Sequence, residues 1–204
     1  MRKTPSMKRA QKLSHAMLRA LLCIAALGAG PGSFAADDAT WTAEARKVAQ
    51  SVPPKLLATL TAAIDKGGPE GAIAVCRDEA PKLARTASDE SGWSIRRVSL
   101  KPRNPKAVPD DWERAALLEF DRRAAAGESP ATLEKAEVVS AGGQMQLRYM
   151  RALPVQPMCL ACHGPAASLS PAVGAQLGAL YPADQGVGYR VGDLRGAITL
   201  KRPQ

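Results

Sequence analysis

Five residues near the carboxyl end constrain this chain more than any other feature: Cys159-Leu160-Ala161-Cys162-His163. Two thiols three positions apart reach neighbouring edges of one porphyrin, and the adjacent imidazole is brought beneath its iron. This is the spacing that attaches haem c through two thioethers, with the histidine as iron ligand. The other ring nitrogen of His163 is then expected to donate to a backbone carbonyl or similar acceptor, fixing the ring's tautomer and orientation.

What else can join such a site depends on what survives export. Arg2, Lys3, Lys8, Arg9 and Lys12 precede an apolar stretch from Ala16 to Leu27, and Ser33 and Ala35 supply small residues for cleavage. Residues 1–35 therefore read as a secretory signal peptide. The stretch falls short of the roughly 20 residues of a spanning helix, and Arg19 interrupts it. Leu22 precedes Cys23 where a lipoprotein signal has a very small residue, which argues against lipidation. Residues 36–204 are a usual length for one domain with a single core. The leader holds six of the 28 Lys and Arg and none of the 19 Asp and Glu, so the formal charge of +9 falls to +3. That balance excludes nucleic acid as an expected partner, and no later stretch is apolar for long enough to remain in a bilayer. The expected location is the periplasm, where covalent haem attachment takes place.

Cleavage also removes His15, Cys23 and three of the six methionines, leaving His163 as the one histidine beside Cys76, Cys159, Cys162, Met145, Met150 and Met158. A zinc site wants four ligands, and beyond the motif only Cys76 is a further soft one. A redox dithiol opens a helix after a strand, whereas this motif follows Pro154 and Pro157. A second histidine ligand to iron is excluded within one processed chain. Cys76, Met145, Met150, a lysine, water or an open position are the candidates for the sixth coordination site, which sets potential and reactivity. Cys76 is also the odd cysteine, and a small buried apolar side chain is its other reading.

Apolar spacing predicts a helix over residues 41–66, broken at Pro53 and Pro54 and ended by Gly67 and Gly68. A second helix starts near Pro69 with Ile73, Cys76, Ala80 and Leu83 on one stripe and a kink at Pro81. Residues 93–100 read as a strand, and residues 101–110 as a proline-rich loop. Asp110 with Glu113 forms a capping box for a helix through Trp112, Leu117 and Phe120 that should lie on the sheet. Residues 135–140 and 144–153 form a hairpin about Gly142 and Gly143, the second strand apolar on one face, and 195–200 is a last short strand. The order predicts an α+β fold, an antiparallel sheet with helices packed on one side.

Four blocks, AIAVCRDEAPKLA at 72–84, RRVSLKPRNPKAVPDDWE at 96–113, CLACHG at 159–164 and YPADQGVGYRVGDLRGAITL at 181–200, resemble the PAS-like c-type haem domain. Members are exported single proteins or input modules of histidine kinases, some discussed as redox sensors. The resemblance implies a PAS-like antiparallel sheet with N-terminal helices and one covalent haem, ligated by His163 and, as in some members, by the early-helix cysteine, here Cys76. It departs at Lys106, Ala107, Gly186 and Val187, which touches loop detail. Thiolate opposite imidazole favours ferric iron and a low potential. Reduction would then release the sulfur and shift the helix around Cys76 and Pro81, a two-state element for a redox or diatomic-gas sensor.

Haem propionates need cations or donors, and Lys101, Arg103, Arg190 and Arg195 stand at or near loop positions of these blocks. Tyr181 and Tyr189 are candidates for hydrogen bonds near the haem. The chain carries no output domain of its own, so a sensor needs an unidentified signalling or redox partner. The alternative is a small periplasmic electron-transfer cytochrome c with Met145 or Met150 as ligand. Catalysis is not expected, because no second histidine remains to act as distal acid or base.

Overall fold

The computed structural model describes residues 32–204, with side chains described from Thr40 onward. Most of the expected leader, residues 1–31, lies outside the described residues. The chain opens with a long helical segment, α1 (Gly32–Ser91), whose backbone leaves helical angles only at Gly67 and Gly68. Gly68 has φ of 70°, the left-handed conformation that glycine adopts without steric cost, so two arms fold about this point. Helical angles continue through Pro53 and Pro54, so the expected break is absent. The prolines remove the donors that would pair with the Ala49 and Gln50 carbonyls. Trp41, Ala45, Ala49 and Val52 nonetheless form one buried stripe along the sheet, and that contact holds the arm helical across the gap.

Four strands follow: β1 (Ser94–Val98), β2 (Glu134–Ala141), β3 (Gln144–Pro154) and β4 (Leu194–Pro203). They form one antiparallel sheet in the order β1-β4-β3-β2. The hairpin turns between Ala141 and Gln144, where Gly142 and Gly143 both have positive φ, as anticipated. Helix α2 (Asp111–Ala125) carries the expected capping box of Asp110 and Glu113. Between β3 and β4 lie the single turn α3 (Leu160–His163) and the helix α4 (Pro171–Leu180), capped by Ser170. Among the described residues no helix is long and apolar enough to cross a membrane.

This is the α+β, PAS-like architecture expected, with one correction: helices cover both faces of the sheet. The first arm of α1 packs on Ile95, Leu147, Tyr149, Ile198 and Leu200. Helix α2 packs Ala116, Leu117 and Phe120 on Val98, Met150, Ala152 and Ala197, on the opposite face. Adjacent residues such as Tyr149 and Met150, both fully buried, point to opposite sides of a strand. A strand apolar at consecutive positions must be covered on both sides, and the pairs Tyr149/Met150 and Ala197/Ile198 carry that signal.

A cavity between helical arms and sheet

On the α1 face, where the two arms diverge from Gly68, they enclose with the sheet a cavity of about 360 Å³. Leu56, Leu57, Leu60, Ile64 and Ile73 make one wall apolar, and Cys76, Cys159, Cys162 and His163 all line it. Ile73 anchors the second arm by packing on Val173, Leu177 and Tyr181, so α4 sets the position of Cys76. All three cysteines are unpaired and half-buried. Burial pushes the thiols of Cys76 and Cys162 up. Among the described residues no three His, Cys, Asp or Glu side chains converge as ligands of a bare metal ion.

The motif is held by the segment that precedes β4. Tyr189 N–H donates to the His163 carbonyl at 2.9 Å and Gly188 N–H to the Gly164 carbonyl at 2.8 Å. Nδ1 of His163 lies 2.6 Å from the Gly186 carbonyl oxygen. A carbonyl only accepts, so Nδ1 carries the proton, and Nε2 keeps its lone pair for a metal. Burial, then the charges of Arg195 and Arg103, push the imidazole down to about 2, which holds it neutral and competent to ligate. Tyr189 meets the His163 ring edge-on at 6.3 Å between centroids. A Cβ at Gly186 would stand 2.7 Å from an Arg195 nitrogen, so glycine keeps this carbonyl close to the ring.

Arg103 ties the blocks together. Its Nε donates to Asp184 at 2.9 Å, and Nη2 donates to the Cys162 carbonyl at 2.5 Å and the Gly186 carbonyl at 3.2 Å. Arg195 is buried, donating from Nη1 to Ser99 Oγ at 3.0 Å and to the Lys101 carbonyl at 3.3 Å. Its Nε sits 3.2 Å from His163 Nδ1. Arg103 and Arg195 line the cavity, as does Tyr181. Lys101 and Arg190 do not: Lys101 Nζ donates to the Val187 carbonyl at 2.6 Å and lies 4.5 Å from the Tyr189 ring centre, and Arg190 is exposed. Met145 is exposed at the hairpin and Met150 is buried on the α2 side, so neither lines the cavity.

Two cavity arginines were not singled out from the sequence: Arg151 on β3, and Arg97, which projects from β1 into the cavity beside Cys76. Arg97 is solvent-accessible, and the protein packed around it pushes its guanidinium below the ordinary range. The signal was strand alternation. Arg96 and Arg97 are adjacent, so one of the pair must share the inward face of Ile95.

This donor set fits a flat, largely apolar macrocycle with a metal at its centre and anionic substituents. Two thiols stand at attachment spacing, a neutral imidazole is pre-oriented, a third sulfur lines the same cavity, and the wall is apolar and cationic. Residues 33–203 match the family model described as Tll0287-like. The chain is similar in structure to the cyanobacterial heme-protein Tll0287, with a TM-score of 0.59 and 27% identity over 86% of this chain and 98% of that one. No curated protein matches the chain.

Proposed function

Because the chain belongs to the Tll0287-like family, we propose that it binds one haem c in this cavity and works as a periplasmic redox or gas-responsive module. The observation that carries the reading is the meeting of Cys159, Cys162, His163 and Cys76 around one cavity. The structural neighbour is itself a heme-protein. Cys159 and Cys162 would form the thioethers, His163 Nε2 would ligate iron, and the Cys76 sulfur would be the second protein ligand. Such a haem supplies a one-electron Fe(III)/Fe(II) couple, held low by a thiolate donor.

The chain's own residues supply the rest. Gly186 and the 188–189 segment hold the imidazole plane, Arg103 clamps the motif to Asp184, and the apolar residues of both arms would keep water from a bound macrocycle. Release of Cys76 would free the second arm, which Ile73 ties to α4, so a change at sulfur reaches the molecular surface through that packing. The basic and apolar leader supports export. A module of this kind would pass its signal to a separate protein. Placement of Met145 and Met150 away from the cavity favours this reading over a methionine-ligated electron carrier.

The test is expression with the cytochrome c maturation machinery, followed by mass spectrometry, a pyridine haemochrome spectrum and ferric EPR. One haem per chain and a low-spin thiolate signal that disappears in Cys76→Ala are expected. A purified protein without added tetrapyrrole ends the proposal, and a Cys76→Ala spectrum identical to the parent's ends the thiolate part of it.

A further inference from the structure

The cavity is lined by four arginines, Arg97, Arg103, Arg151 and Arg195, and by no aspartate or glutamate. Two of the four are neutralised from behind. Arg103 pairs with Asp184 at 2.9 Å, and Arg151 with Glu134 at 3.2 Å. Among the described residues no carboxylate stands within ion-pair distance of Arg97 or Arg195. A guanidinium buried without a paired carboxylate, as Arg195 is, is costly, and the second unpaired cation on the same cavity wall, the solvent-accessible Arg97, adds repulsion to that cost. A bound group with two carboxylates would remove it, and a haem carries two propionates.

Backbone geometry delivers both side chains to the same space. Arg97 follows Ile95 on the inward face of β1. Regular alternation along β4 would send Arg195 to the α2 side with Ala197, but the ladder slips there. Leu153 pairs with Gly196 and Pro154 with Leu194, so Arg195 has no partner in the ladder, and its side chain lines the α1-side cavity instead. A bulge that re-aims one side chain is a recurrent device beside functional sites. A guanidinium fork matches a carboxylate in two parallel hydrogen bonds.

Resting on the haem reading above, we propose that Arg97 and Arg195 are the carboxylate receptors of the cavity and hold the two haem propionates. Arg103 and Arg151 keep their protein partners, and Lys101 and Arg190 take no part. Arg195 then touches both a propionate and the ring of His163, linking the haem edge to its axial ligand.

The test uses the holoprotein with its propionate carboxyls labelled with carbon-13 by feeding labelled aminolevulinate, read by isotope-edited infrared spectroscopy. The reference is the haem-bearing peptide cut from the same protein. In the parent, both labelled carboxylate bands should be displaced from the peptide's positions. Arg97→Gln and Arg195→Gln should each return one band to the peptide position, with Arg97→Lys and Arg195→Lys intermediate, while Lys101→Gln and Arg190→Gln move neither. Parent bands at the peptide positions would overturn the proposal even if no variant folds. So would unchanged bands in both glutamine variants, or displacement lost in Lys101→Gln or Arg190→Gln. Absence of haem from the parent would instead strike the underlying haem reading, and haemochrome content separates the two failures.

Discussion

Nδ1 of His163 and the carbonyl oxygen of Gly186 are 2.6 Å apart, and that contact decides which imidazole nitrogen is left for a metal. Replacing the ring should leave the thioethers in place while removing the nitrogen ligand. His163→Ala made with the maturation machinery is expected to keep its haem through Cys159 and Cys162 but to lose the parent's low-spin ferric spectrum. Optical and EPR spectra of the purified variant check this, and an unchanged low-spin spectrum would show that another residue holds the iron.

Stability and site chemistry should separate across the sheet. Glu113 is 1% exposed, pairs with Arg96, lies 3.3 Å from Arg148 Nη2, and its carboxylate closes the cap by accepting from Asp110 N–H. Glu113→Ala would leave the 8%-exposed Arg148 side chain beneath α2 with Asp110 as its remaining carboxylate and would open the cap. Removing a buried hydrogen-bonded carboxylate whose cationic partners keep other acceptors costs about 1 to 3 kcal/mol. Urea unfolding should show a loss in that range, while the haem spectrum of the folded variant stays that of the parent, because α2 lies on the face away from the cavity.

Much of the frame was legible because local signals agreed with the tertiary result. The Gly142–Gly143 turn, the Asp110/Glu113 cap and the Gly67–Gly68 break each arise from chemistry within a few residues. The Pro53–Pro54 break was misread because packing against the sheet, which no local pattern displays, outweighs two lost hydrogen bonds. Helix α4 was missed although Ser170 caps it, Pro171 opens it and Val173 with Leu177 face the second arm; its ten residues are short for a periodicity reading. The motif and Cys76 were visible as residue types. Which cations face the cavity was not, because that depends on the facing of one strand and on a bulge in another.

Acid should weaken the contact between the first arm and the hairpin. Glu134 accepts from Arg46, from Tyr149 Oη at 2.7 Å and from Arg151 at 3.2 Å. The Arg46 guanidinium, helped by the Tyr149 hydroxyl, holds its carboxyl below the ordinary range. A depressed carboxyl contributes stability that is fully present above its unfolded value of about 4.3 and is lost as pH falls through the lower folded value. Glu134→Gln should therefore cost about 2 kcal/mol at neutral pH and flatten the fall in stability below pH ~4. Denaturant melts of parent and variant from pH 7 downward check both effects, and parallel curves would discount this carboxylate.

Gly196 joins the fold to the site. Its φ of 147° is open to glycine and closed to other residues, and a Cβ there would stand 2.2 Å from the Val98 carbonyl oxygen, a rigid backbone atom. The strand cannot regularise without moving the register slip that turns Arg195 toward the cavity. Gly196→Ala is expected to cost at least about 2 kcal/mol through backbone strain. It should also disturb the imidazole environment, since Arg195 Nε lies 3.2 Å from His163 Nδ1. Glu113→Ala, whose loss is confined to the opposite face, supplies the comparison at matched stability. If Gly196→Ala shifts the haem spectrum or potential and Glu113→Ala does not, the bulge positions the site. If both leave spectrum and potential alone, the glycine serves the sheet only.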